Sequence, residues 1–363
     1  MNRVHSILSS RGAVRGFTIV ELMVGLAIGL VLVAGLALMF ANTSRSRTEL
    51  GKSVEQIENG RYAIELLQDD ISLAGFYGEL PPAVTYTNTP DACATALGSP
   101  SGNGLGWDGA ALSAPVPVMG LSPVTAAGLA CLPNHLEGTP AMVLRRFNTE
   151  AVAPSAGVAN TAYVQTSRCS SDPVSTPFVV SATAADFTLK TFKCNAVNNV
   201  RQYISRVYYL AECNECSLET DAAHKIPTLK MAELRATSSG REMAVVPLTE
   251  GVENIEFLYG FDTTGTGNAD RFLPGLSGDA GAKDNTWENV VAVRLYLLSR
   301  TSEISPGFDD GGKTYDIGRS EPLGPFTDQY KRRVYTSTVR LSNVAGRREK
   351  PPLPTPPSSP ASP

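Results

Sequence analysis

The chain's strongest constraint is an apolar run from Phe17 to Phe40, GFTIVELMVGLAIGLVLVAGLALMF with its leading Gly16, broken by a single charge at Glu21. At about 1.5 Å rise per residue it gives roughly 36 Å of helix, enough to cross a hydrocarbon core about 30 Å thick. A secretory h-region is shorter, and the exit Met39-Phe40-Ala41 lacks the small residue that signal-peptide cleavage needs two places upstream of the cut. The preceding residues carry Arg3, Arg11 and Arg15 and no acid, so the positive-inside rule keeps them in the cytoplasm and sends everything after Phe40 outward. Glu21 is the anomaly. A carboxylate in hydrocarbon costs about 2.5–3.5 kcal/mol on insertion scales and calls for a partner.

A cut between Gly16 and Phe17 would supply one. The new α-amino group of Phe17 would lie one helical turn from Glu21, or would meet the Glu21 of a neighbouring chain displaced along the axis. The segment Gly16-Phe17-Thr18-Ile19-Val20-Glu21-Leu22 resembles the cleavage and assembly motif of type IV prepilins and type II secretion pseudopilins. The resemblance implies a leader over 1–16 and cleavage after Gly16 by a prepilin peptidase. It further implies N-methylation of Phe17, a helix over 17–41 that forms the filament core, and a role for Glu21 in subunit register. Gly25 and Gly29 form a G-x-x-x-G that allows close helix approach in an assembly.

Past the polar exit Asn42-Thr43-Ser44-Arg45, apolar residues recur at Leu50, Val54, Ile57, Ile64, Leu67 and Ile71 with charges between them. This spacing predicts an amphipathic continuation of the helix over 42–78, with a stripe that docks on a globular domain. Gly75, Gly78 and Pro81-Pro82 stop it. Residues 86–140 are rich in Gly, Ala, Ser, Thr and Pro and read as irregular connections. Strand-like, β-branched and aromatic runs follow at 141–147, 162–166, 178–182, 187–192, 203–210, 243–248, 252–259, 290–298 and 333–341. The fold expected is therefore α+β. A long N-terminal helix, its first half transmembrane, packs on an antiparallel sheet within a large β-rich head over 79–345. The Pro-rich tail over 346–363 buries nothing and reads as a disordered or polyproline extension.

Three further stretches, GVENIEFLYGFD at 251–262, WENVVAVRL at 287–295 and RRVYTSTVRLSN at 332–343, are similar to the C-terminal region of the PilW family of minor pilins. That likeness implies a low-copy subunit that joins other minor pilins and the major pilin, primes pilus assembly and caps the filament tip, with twitching motility and adhesion downstream. It implies no catalysis and no cofactor. The expected route is from the inner membrane, as a single-pass protein with its C-terminal domain in the periplasm, to the extracellular pilus, with a tip adhesin as a further partner. The alternative within the same stem is a J-type pseudopilin of type II secretion.

The composition fits a large head with no nucleic-acid partner. The chain has 363 residues, 42% hydrophobic and 18% charged, and a net charge of −4, with no basic field. Its six cysteines, Cys93, Cys131, Cys169, Cys194, Cys213 and Cys216, all lie on the side assigned to the periplasm, where disulfides persist. About 15 connectivities are open; adjacency in sequence favours Cys93 with Cys131, Cys169 with Cys194 and Cys213 with Cys216.

Other patterns offer little chemistry. GFDDGGKT at 307–314 satisfies the P-loop formula, but Ser305-Pro306 precede it, no helical pattern follows, and Asp309 and Asp310 repel phosphate, so a surface turn is expected. The loop from Asp262 to Asp270 sits where relatives carry an aspartate-rich, calcium-type sequence. Here Thr264 and Thr266 replace the middle acids and leave Asp262 and Asp270 as weak calcium candidates. Cys213-x-x-Cys216 outside a βαβ context reads as a structural disulfide, with membrane-tethered thiol redox work, or zinc binding with His224, as alternatives. His5, His135 and His224 are widely spaced, and no hydrolase or zinc-protease motif is present, so no enzyme is expected.

Overall fold

The structure, a computed structural model, describes residues 16–98, 102–173, 177–218, 225–276 and 286–349. The leader with its three arginines, His5, His224 and the tail beyond residue 349 lie outside the described residues. Helix α1 spans Ile19–Ser72. The chain divides into two compact units, Met1–Lys52 and Ser53–Pro363, each described by itself.

In the first unit the large apolar side chains of α1 are exposed throughout, from Ile19 at 78% to Phe40 at 77%. This stretch is long and apolar enough to cross a membrane.

The second unit opens with the last turns of α1, residues 53–72, and builds two sheets around them. Its elements in chain order are β1 (Thr85–Asn88), β2 (Ser113–Pro115), β3 (Val118–Leu121), helix α2 (Pro123–Ala127), β4 (Ala141–Phe147), β5 (Tyr163–Thr166), β6 (Phe178–Ser181) and β7 (Val200–Ala211). There follow β8 (Thr228–Thr237), β9 (Gly240–Glu250), β10 (Val252–Phe261), β11 (Arg271–Leu273), β12 (Val290–Arg300), β13 (Arg332–Arg340) and helix α3 (Ser342–Arg348). Four strands form one antiparallel sheet in the order β11-β10-β12-β13. In a second, seven-stranded sheet, β3-β4-β7-β5-β6 are consecutive neighbours, β8 pairs with β7, and β9 pairs with β8. A short parallel pair, β1 and β2, stands apart. The main core collects Ala63, Leu67 and Ile71 of α1 with Val143, Val207 and Tyr208 of the larger sheet and Ile255, Phe257, Val293 and Leu295 of the smaller one. A second cluster stacks aromatic rings: Trp107 meets Tyr77, Phe147, Phe178 and Tyr203 at centroid distances of 5.2–5.8 Å.

The expected architecture is present, and the departures from it are local. The buried stripe of α1 runs through Gln56, Gly60, Ala63, Ile64, Leu67, Asp70 and Ile71, whereas Val54 and Ile57 are 51% and 40% exposed and Leu50 is 63% exposed. Polar bonding sets the face above Ala63: Gln56 Nε2 donates to the Ser299 and Lys331 carbonyls at 2.9 Å each, and the Tyr335 hydroxyl donates to the Ile57 carbonyl at 3.2 Å. Residues 187–192 are not a strand. Leu189 N–H donates to the Gln165 side chain and Lys190 N–H to Asp172, so these amides leave no ladder to build beyond one bridge between Lys190 and Val197. Residues 228–237, which are not among the strand-like runs read from the sequence, form β8. The segment assigned to the tail begins later than 346, because α3 runs to Arg348 and buries Val344 and Ala345.

Candidate functional site

At the start of α1 the Thr18 backbone N–H and hydroxyl both donate to Glu21 Oε2, at 3.1 and 3.0 Å, while Glu21 N–H donates to Thr18 Oγ1 at 3.2 Å. This is a reciprocal capping box, in which the two side chains satisfy amides that the first turn leaves without acceptors. The sequence carries its signature, Thr18-x-x-Glu21, so the intramembrane acid is also a helix-capping residue. Gly16 and Phe17 precede the helix, and Phe17 is 88% exposed. A side chain at Gly16, Gly25 or Gly29 would meet nothing within 4 Å. In this unit Gly16, Phe17 and the large apolar side chains of α1 are exposed.

In the second unit the end of α1 is tied down through Asp70, which is 6% exposed. Arg146 Nε and an Arg206 guanidinium nitrogen each lie 2.9 Å from Oδ1, and the Tyr208 hydroxyl donates to Oδ2 at 2.6 Å. Arg206 continues to Glu233 at 2.6 Å, and Glu233 to Arg235 at 2.7 Å. Burial by itself pushes the Asp70 carboxyl up, but Arg206, the Tyr208 hydroxyl and Arg146 outweigh it and hold the group below the usual carboxylate range. Burial and the Asp70 charge push the Tyr208 hydroxyl up. Helix, β4, β7 and β8 are thus held in one register by charges that each need the others. Past the helix end, Gly75 takes φ +71° and its N–H donates to the Arg145 carbonyl at 3.0 Å, while Asn343 Nδ2 reaches the Leu73 and Ala74 carbonyls at 3.3 Å. A side chain at Gly75 would press on Val344 and Pro117, so the turn needs glycine twice over.

The Asp262–Asp270 loop is self-contained. Asp262 accepts from the N–H groups of Gly265, Thr266 and Gly267 at 2.7, 3.1 and 2.9 Å, and from Arg348 Nε at 2.8 Å. Burial opposes its charge, but the Gly267 amide, Arg348 and the Thr266 amide bring its carboxyl down to about 2. Asp270 accepts from the backbone and hydroxyl of Thr263 at 2.8 and 2.9 Å and from the Thr264 N–H at 3.2 Å. The oxygens that a calcium ion would take are committed to these donors, and Arg348 already supplies the positive charge. Among the described residues no cluster of three metal-ligating side chains occurs.

The three disulfides join Cys93 to Cys131, Cys169 to Cys194 and Cys213 to Cys216. Cys213 is fully buried at the end of β7, where Lys230 Nζ donates to the Asn214 carbonyl at 2.6 Å, and residues 212–218 are turns with no helix for a redox motif to open. Residues 307–314 form turns with Gly307, Gly311 and Gly312 at positive φ and no helix following, so no phosphate cradle is built there. His135, the one histidine among the described residues, lies 3.4 Å from Thr139 Oγ1 and pairs with Ala211 across a single bridge.

Comparison with known proteins adds two family matches. Residues 207–343 match the model for type IV pilus-assembly protein W, and residues 11–37 match the prokaryotic N-terminal methylation motif. No curated protein matches the chain. Among solved structures it is similar to a type IV-like pilin from Thermus thermophilus at 18% identity and a TM-score of 0.18, over 39% of this chain and 79% of that one. The first match runs from β7 through β13 into α3, and the second covers the capped start of α1. The two matched segments thus carry a likeness to type IV pilus-assembly protein W and to the methylated N-terminus of prokaryotic pilins.

Proposed function

We propose that this chain is a minor pilin that is cut between Gly16 and Phe17, is methylated at Phe17, and enters a complex with other minor pilins that primes the filament and stays at its tip. The observation that carries this reading is the exposure of α1 from Ile19 to Phe40, where large apolar side chains have no cover within the chain. Covering each is worth about 1.5–3 kcal/mol, so the segment resides in lipid before assembly and among other pilin helices after it. Glu21 serves both states. In the uncut chain it caps the first turn through Thr18. After the cut, the cationic α-amino group of Phe17 becomes available to the same carboxylate, in its own chain or in a neighbour's.

The domain plan that follows is a leader over 1–16, a membrane and filament helix over 17–41, a docking helix and a β-rich head. The partners are the prepilin peptidase, the major pilin, other minor pilins and a tip adhesin. Mass spectrometry of the N-terminus tests the first step: the mature chain starts at a methylated Phe17 in wild type, and Gly16→Ala or a bulkier residue leaves the leader attached. Glu21→Ala is expected to be processed and yet absent from sheared filaments. A mature chain starting elsewhere, or a Glu21→Ala variant recovered in filaments at wild-type amounts, overturns the proposal.

A further inference from the structure

The turn that mimics a P-loop in sequence packs against residues 326–332 and encloses a pocket of about 280 Å³. Its walls include three aromatic rings, Phe308, Phe326 and Tyr330, three carboxylates, Asp309, Asp310 and Asp328, and the Arg332 side chain. The charges are unevenly answered. Asp328 is paired with Arg332, whose guanidinium also pairs with Glu253 at 2.6 Å and stacks 3.7 Å from the Phe326 ring centre. Asp309 Oδ1 accepts the Gly311 N–H at 2.9 Å. Asp310 is different: it is 8% exposed, and among the described residues its Oδ2 has only the Tyr315 hydroxyl at 3.4 Å and its buried Oδ1 has no hydrogen-bond partner. Ser305 Oγ, at the head of the same turn, is a second buried polar atom without a partner. A desolvated carboxylate oxygen left unpaired costs about 1–3 kcal/mol or more, so the fold holds this group at an expense that a ligand would relieve.

We infer that this pocket takes a lysine side chain of a partner protein, with the Asp310 carboxylate as its counter-charge. Three features select a primary ammonium. The aromatic faces attract cations, as Arg332 over Phe326 and Lys331 Nζ 6.0 Å from the Phe308 ring centre already show. The same acids that repel a phosphate favour a positive charge. A divalent metal wants six or more oxygens, and no group of three ligating side chains is present among the described residues, whereas an ammonium needs one strong acceptor and brings three donors. The outer torsion of an aspartate is soft, so turning the Asp310 carboxylate presents the orphan oxygen to the pocket.

The test is calorimetric titration of the full chain in detergent micelles with Nα-acetyl-lysine methylamide, against the uncharged Nα-acetyl-norleucine methylamide and against calcium chloride. The lysine derivative is expected to bind at millimolar concentration, about ten-fold more tightly than norleucine, and to weaken several-fold when salt is raised from 50 to 500 mM. Asp310→Asn is expected to remove that preference, because it keeps the shape and deletes the charge. Equal binding of lysine and norleucine by wild type overturns the inference, as does an unchanged preference in Asp310→Asn or displacement of the lysine derivative by calcium. Should the variant fail to fold, the wild-type comparison of lysine with norleucine decides alone.

Discussion

Residues 19–40 and 53–72 belong to one helix and differ in what covers their side chains. In the first stretch Leu30 is 73% exposed and Leu36 67%. In the second, Ala63, Leu67 and Ile71 are completely buried against strands of two sheets. Both stretches are helical because both are free of proline and rich in helix-forming residues, yet helicity says nothing about what covers the side chains. The first stretch is apolar all round and is made for an environment outside its own chain. The second has one narrow stripe and charges elsewhere, and it carries its environment with it. The glycines repeat the contrast. A Cβ at Gly25 or Gly29 meets open space, while one at Gly60 collides with the Tyr335 ring.

The contrast is testable by unfolding, because both tryptophans, Trp107 and Trp287, are buried in the second unit and report on it alone. The largest effect is expected from Asp70→Ala. Arg146 and Arg206 would be left without their counter-ion, and the urea transition should lose about 3–5 kcal/mol. A loss below about 1 kcal/mol would mean that Asp70 does not hold the helix to the sheet.

Next, Leu67→Ala should cost about 2–5 kcal/mol by opening a cavity in the core, while Leu30→Ala should leave the tryptophan transition within about 0.5 kcal/mol of wild type. Equal effects at the two leucines would erase the distinction between the halves. Gly60→Ala should cost about 1–3 kcal/mol through overpacking against Tyr335, and Gly25→Ala nothing in the same assay.

The smallest effect is the acid dependence. The carboxyls of Asp70 and Asp262 are both held low in the folded state, so their stabilisation is complete above about pH 4 and is lost as pH falls. For Asp262 the loss runs from its ordinary value of 3.8 down to about 2 and amounts to roughly 2 kcal/mol. Asp262→Asn should flatten that part of a plot of urea midpoint against pH.

Much of the candidate site is legible before folding. The apolar length, the lone acid and the glycine before Phe17 are local facts of composition, and the capping box was available in Thr18-x-x-Glu21 as well. The Asp70 network was not legible, since Asp70, Arg146, Arg206 and Glu233 are far apart in the chain and each reads alone as a solvated charge. Only the crossing of α1 over β4 and β7 makes them partners. The same holds for Arg348, which reads as the start of a tail until α3 brings it to Asp262.

Taken by itself, the sequence determined the helix, its two characters and most of the strands, because periodicity and chain stiffness act over neighbouring residues. Tertiary structure decided what those signals leave open. The segment TLKMAELRAT has the composition of a helix, but it lies hydrogen-bonded between β7 and β9 and becomes β8, because backbone pairing on both sides outweighs propensities of a few tenths of a kcal/mol per residue. Residues 187–192 go the other way. Their β-branched and aromatic composition suits a strand, yet their amides find Gln165 and Asp172 in place of a neighbouring strand. In both cases the outcome was set by where the backbone hydrogen bonds are satisfied, and that depends on which distant segments arrive beside them.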